Sequence, residues 1–236
     1  YDFDAEGRVL ATYVDKTRGG VLVVIGDTVE EHCGGVLPRG ISEPRSSGGW
    51  VYFSASSPSA PSAVARWNGA VEVLKKSTDK PPLAEGFVSQ PELVEFDSTD
   101  GGKAYAHYYA PKNADYTSDG LPPLLVKAHG GPTACASTAY SLATQFWTSR
   151  GFAVVDVDYR GSTGYGRDFR RSLRLKWGVY DVDDCCAAAT ALVDRKLARP
   201  DQLAIEGTST VGSRVSTASL EVRAQRAHHD AKHWRQ

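Results

Sequence analysis

Three short apolar runs, spaced through the second half of the chain, limit the folds open to it. Leu124-Leu125-Val126-Lys127-Ala128, Phe152 to Val157 and Leu203-Ala204-Ile205 are too short for core helices and read as buried strands. Two segments between them carry apolar residues at helical spacing. In Ser137 to Arg150 these are Tyr140, Leu142, Phe146 and Trp147, which offer one broad apolar face. In Asp181 to Lys196 they are Val182, Cys185, Ala189, Leu192 and Val193. Strands alternating with helices predict a parallel sheet covered on both faces. Asp181, Asp183 and Asp184 fall in the first turn of the second helix, where a carboxylate opposes the helix dipole. They read as capping and orienting groups, not as catalytic ones.

The first 75 residues follow another rule. Short apolar runs at 9–14, 21–25, 50–53, 64–67 and 71–74 are separated by turn residues. Asn68-Gly69 between two of them predicts a type I′ hairpin, which needs positive φ twice. This spacing predicts a sandwich, a barrel or propeller blades. The strands are too few for a closed propeller of about 4–8 four-stranded blades, so only the end of one would be present. Lys75-Lys76-Ser77-Thr78-Asp79-Lys80-Pro81-Pro82 lies in a polar stretch, 75–90, that reads as a linker. The expected division is therefore 1–85 and 86–236. A second hairpin, turning at Asp100-Gly101-Gly102, leads into the strand-helix region.

A net charge of −1 gives no electrostatic reason to expect nucleic acid or an anionic membrane as partner. No apolar run approaches the roughly 20 residues of a membrane-spanning helix. Cys33, Cys135, Cys185 and Cys186 lack metal-ligand spacing and read as free, mostly buried thiols of a reducing compartment. With no leader visible, the expectation is a cytoplasmic protein without metal or cofactor. The absence of Met and the start at Tyr1 read as an excerpt of a longer product.

Three features could carry chemistry. His129-Gly130-Gly131-Pro132 follows the first buried strand, and glycines there let backbone N–H groups face a substrate oxygen. A tight strand exit would use the same glycines. Asp158-Tyr159-Arg160-Gly161-Ser162-Thr163-Gly164-Tyr165-Gly166 follows the second. Its glycines are spaced G-x-x-G-x-G rather than G-x-G-x-x-G, and no P-loop lysine is present, so a substrate-side loop carrying Tyr159 and Arg160 is preferred to a nucleotide site. Gly207-Thr208-Ser209 follows the third and places a serine at a strand-to-helix turn, as in a nucleophile elbow. The G-x-S-x-G pattern wants glycine at 211, where this chain has Val211; Gly212 comes one position late.

In this order the three features resemble the catalytic domain of the prolyl oligopeptidase family of serine peptidases, within it the acylaminoacyl-peptidase and dipeptidyl-aminopeptidase branch. The resemblance rests on His129 to Pro132, on the whole run Gly151 to Gly166, on Trp177-Gly178 and on Asp181 to Asp184. It covers about residues 87–207 and fades at Gly207. It implies an α/β-hydrolase fold, partial here, a mostly parallel sheet with flanking helices, preceded by the last blades of a β-propeller. It implies Ser209 as nucleophile, with oxyanion donors from the backbone N–H of Thr210 and of the Gly130-Gly131 segment. Short peptides would be cleaved through an acyl-enzyme.

The triad acid and His follow the nucleophile in the α/β-hydrolase order. A strand-helix-strand unit takes about 30 residues or more, which the stretch from Ser209 to Gln236 does not supply. Residues 213–236, with His228, His229 and His233, show neither strand pattern nor apolar face and read as a flexible tail or a weak metal-binding tract. Three readings stay open: a serine peptidase, an inactive chain lacking the triad Asp and His, and an esterase on the same fold.

Overall fold

The structure is a computed structural model that describes residues 1–16, 18–25, 28–32, 40–80 and 82–207. The chain divides into two compact units, Tyr1–Ala84 with Ser137–Ser141, and Glu85–Ala136 with Leu142–Gln236.

The first unit holds two four-stranded antiparallel sheets, each built from strands consecutive in the chain. One contains β1 (Asp2–Phe3), β2 (Val9–Asp15), β3 (Arg18–Ile25) and β4 (Thr28–His32). The other contains β5 (Gly40–Ser47), β6 (Trp50–Ser56), β7 (Ala63–Trp67) and β8 (Val71–Lys76). Four-stranded sheets of consecutive strands are the unit from which propellers are built. Alternate residues turn inward, as the two-residue period of a strand requires. Leu10, Val21, Val51, Phe53 and Ala65 form the buried cluster. The Asn68-Gly69 turn departs from expectation. Only Gly69 has positive φ, and Trp67 pairs with Val71. The loop is thus three residues with a single left-handed glycine, not a two-residue type I′ turn.

The second unit is a five-stranded mixed sheet in the order β13-β11-β12-β10-β9. Its strands are β9 (Pro91–Asp97), β10 (Lys103–Tyr109), β11 (Leu124–Ala128), β12 (Ala153–Asp158) and β13 (Leu203–Gly207). As expected, β11 runs parallel to both β12 and β13. β9 and β10 form the second hairpin, and β10 pairs antiparallel with β12. Asp100 and Gly101 both take positive φ in that turn. Leu124, Val126, Ala153, Val155 and Val157 face a core completed by α3 (Tyr180–Asp194), through Cys185, Ala189 and Leu192. Leu125 and Val154 face the other side, with Tyr109 and Trp147. Burial on both faces is why these strands read as mainly apolar runs without strict alternation.

The helix α1 is shorter than its apolar residues predict, Leu142–Thr148 rather than 137–150. Ser137–Ser141 belongs to the first unit, where the Tyr140 amide donates to the Ser57 carbonyl. The expected apolar face is buried only in part: Trp147 packs against Leu125 and Val154, but its other members on the helix do not. Leu142 and Phe146 are 53% and 47% exposed, while Thr144, Gln145 and Thr148 are buried. The Gln145 side chain explains the inversion. It accepts from the Ser89 amide at 2.8 Å and donates to the Ser89 carbonyl at 3.0 Å. A buried backbone segment with no strand partner needs both bonds. The short helix α2 (Gly166–Arg171) precedes α3. No helix of the described residues is long and apolar enough to cross a membrane.

Candidate active site

The parallel strands end together. Ala128 lies opposite Val157 on one side and opposite Gly207 on the other. The strands β11, β12 and β13 therefore end at the same side of the sheet, where the loops beginning at His129 and Tyr159 start. Open α/β sheets hold ligands outside the carboxyl ends of their strands. Gly131 has φ of 142°, and a Cβ there would sit 2.9 Å from the Thr133 amide nitrogen. A side chain at 131 would therefore displace the backbone after it.

Asp158, fully buried, ties these loops together. Its Oδ1 accepts from the Ala136 amide at 2.6 Å, and its Oδ2 from the Tyr165 hydroxyl at 2.6 Å. His107 Nε2 of β10 lies 3.4 Å from the same Oδ2. The Thr163 amide also donates to the Ala134 carbonyl at 2.7 Å, joining the loop after β12 to the loop after β11.

His129 is set by its neighbours. Its ring stacks on Tyr159 at 4.4 Å, and the Tyr159 hydroxyl donates to the His129 carbonyl at 2.9 Å. Its Nε2 lies 2.8 Å from the buried Ser162 hydroxyl and 3.8 Å from Asp158. This is not a catalytic triad. Hydroxyl and carboxylate address the same ring nitrogen, whereas a triad acid binds the nitrogen opposite the nucleophile. The Ser162 hydroxyl also bonds the Tyr159 carbonyl at 2.7 Å. His129 is thus a positioned loop residue.

Arg160 points into the protein. Its Nη2 lies 2.8 Å from Asp184 Oδ1, and its amide donates to Asp184 Oδ2 at 2.6 Å. Its guanidinium also donates to the carbonyl and hydroxyl of Thr99, and lies 3.7 Å from the centre of the Tyr180 ring. Ser98 donates a further hydrogen bond to Asp184. Tyr159 is fully buried, and burial pushes its phenol above the usual range. Asp181 accepts from the Gly178 amide at 2.7 Å at the start of α3. Buried Asp184, paired with Arg160, orients the same helix, so the acidic first turn is structural.

Of the expected site residues, the structure brings Gly130, Gly131, Tyr159 and Arg160 to one edge of the sheet, with Arg160 engaged inward. Ser209 and Thr210 lie outside the described residues. The sequence reading missed Asp158 and His107 as the joints of the loops. An aspartate closing a largely apolar strand is the signal that could have found Asp158. Among the described residues no group of three His, Cys, Asp or Glu could hold a metal ion.

The sequence profile of the prolyl oligopeptidase family, a family of serine peptidases, matches residues 138–225. Dipeptidyl aminopeptidase BIII of Pseudoxanthomonas mexicana is 33% identical over 168 residues, covering 69% of this chain and 24% of that protein. The structure of a puromycin-hydrolyzing peptidase of Mycobacterium tuberculosis superposes with a TM-score of 0.76 at 33% identity, covering 93% of this chain and 34% of that one. The chain belongs to the prolyl oligopeptidase family. It spans between a quarter and about a third of the length of these relatives. Puromycin hydrolase complexed with PGG is similar too, at 33% identity and a TM-score of 0.75, over 84% of this chain and 31% of that one. The family match begins after the His129 to Pro132 motif and continues past Gly207 to residue 225, beyond the point where the sequence reading saw it fade.

Proposed function

We propose that this chain carries the nucleophile-bearing part of a serine peptidase that hydrolyses short peptides through an acyl-enzyme. One observation supports this most. Ala128 and Gly207 are paired in register on neighbouring strands, so the Gly130-Gly131 segment and the stretch leading to Ser209 start side by side. Neighbouring strands lie about 4.8 Å apart. Amides leaving one strand and a hydroxyl leaving the other can therefore address a single carbonyl. The family match also includes Ser209.

In the proposed reaction the Ser209 Oγ attacks the peptide carbonyl carbon and gives up its proton. The Thr210 amide and an amide of Gly130-Gly131 hold the oxyanion. The C–N bond breaks, the amine leaves with a proton, and water then hydrolyses the ester. The acid and the His of the triad follow the nucleophile in this fold and so fall after residue 209. Residues 1–85 are, in this proposal, the last blades of a β-propeller that limits access to short or unstructured chains, and 86–236 belong to the hydrolase domain. Unbridged Cys135, Cys185 and Cys186 fit a reducing compartment, the cytoplasm.

A fluorophosphonate probe tests the reading. Stoichiometric labelling that vanishes in Ser209→Ala, together with turnover of a tripeptide substrate, is the result expected of a protein that also carries the triad acid and His. An unlabelled chain would support the second reading, a fold retained without turnover, which Val211 in place of the elbow glycine favours.

A further inference from the structure

Beside the loop after β11 lies an open cleft of about 390 Å³. One wall is Pro132 and Thr133, the residues directly after Gly131. The other is formed by the segment from α2 to Trp177 and includes Arg170, Arg171 and Arg174. All three arginines are exposed, as is the neighbouring Arg167. Among the described residues, the ion pairs involve none of them. Asp168 is the one carboxylate between Gly166 and Leu175. Four guanidinium groups so close in the chain repel one another, and the surrounding segment does not neutralise them.

The apolar part of this wall is equally unusual. Leu175 sits at φ of 61° and is 95% exposed, and Trp177 is half exposed. A branched apolar residue held left-handed in water serves neither the backbone nor the core. Cations and apolar surface are thus offered together, next to the glycines that would hold a substrate oxygen.

We infer that this cleft receives the C-terminal carboxylate of a short peptide. The arginines pair with the carboxylate, for which their planar fork of donors is suited. Leu175 and Trp177 take the last side chain. This rests on the peptidase reading and adds its substrate class. An extended peptide advances about 3.3–3.6 Å per residue. The cleft adjoins Gly131, so its ligand would have only a few residues beyond the scissile bond. Substrates would be selected by length, through a free C-terminus.

Equilibrium binding tests this without turnover. In the Ser209→Ala chain, fluorescein-Ala-Ala-Phe with a free carboxylate and its C-terminal amide are compared by fluorescence polarisation. The free acid is expected to bind about tenfold tighter at low salt, the ratio shrinking in 0.5 M salt as screening grows. The double substitution Arg171→Gln with Arg174→Gln, both at exposed positions, should reduce the ratio to about one by weakening only the free acid. Equal affinities in the parent chain would overturn the inference. So would an amidated peptide bearing an internal aspartate that binds as tightly as the free acid, because the cleft would then read acidic side chains. Failure of Ser209 labelling counts separately, against the peptidase reading.

Discussion

Asp156 shows how a single residue can carry a pH signature. It sits in β12 at the register position of Lys127 on β11 and His107 on β10. Burial raises its carboxyl above the ordinary aspartate value, and the Lys127 charge opposes that rise without cancelling it. A raised carboxyl favours the protonated folded state, so its stabilising contribution is complete below the ordinary value near 3.9 and is lost as pH climbs through the raised one. Asp156→Asn should therefore gain stability on the parent chain at pH 7 and not at pH 4, as urea melts at the two pH values would show. An unchanged difference between them would contradict this. Gly131 offers a steric counterpart. A Cβ at that position meets backbone rather than a side chain that could swing away, so Gly131→Ala should cost about 1–3 kcal/mol. In the proposed peptidase it should also lower kcat more than it raises KM. A Gly131→Ala chain with parental stability and rate would show that the loop tolerates a side chain.

Among the elements, α1 shows what periodicity misses. Its exposed Leu142 and Phe146 occupy the positions that a hydrophobic pattern assigns to the core, while Gln145 is buried and bridges both polar groups of Ser89. Truncating Gln145 leaves an amide and a carbonyl without partners inside the unit. Gln145→Ala should cost about 2–4 kcal/mol, with faster hydrogen exchange at the Ser89 amide. Exchange at the parental rate would mean that water replaces the side chain. β11, β12 and β13 were legible because parallel strands buried on both faces leave a mainly apolar run, and α3 because its small and apolar residues recur at helical spacing. Strands β1, β4 and β5 were not. Asp2–Phe3 is too short to show a period, and Gly40–Ser47 carries Pro44, charge and serines in place of alternating apolar residues. At Asn68-Gly69 the dipeptide signalled a hairpin correctly, but loop length, set by how Trp67 and Val71 pair, decided the turn.

At the scale of the molecule, the change of pattern along the sequence foretold antiparallel strands and then a mostly parallel sheet; the sheet is in fact mixed, because the β9–β10 hairpin adds to β12 antiparallel. What it could not foretell is which distant groups meet, because a buried ion pair has no period. Arg160 and Asp184 are 24 residues apart, and Ser98 bonds the same carboxylate from 86 residues away. The turn of the β9–β10 hairpin, the exit of β12 and the N-terminal part of α3 are thus fastened at one carboxylate. Such a joint makes local opening expensive, because no member can leave without stranding a buried charge. These three segments should therefore open as one cooperative unit, their slowest amides exchanging with a common free energy of opening. Removing the charge with Asp184→Asn should cost about 3–5 kcal/mol and split that common value, freeing the hairpin to fray by itself while α3 stays closed.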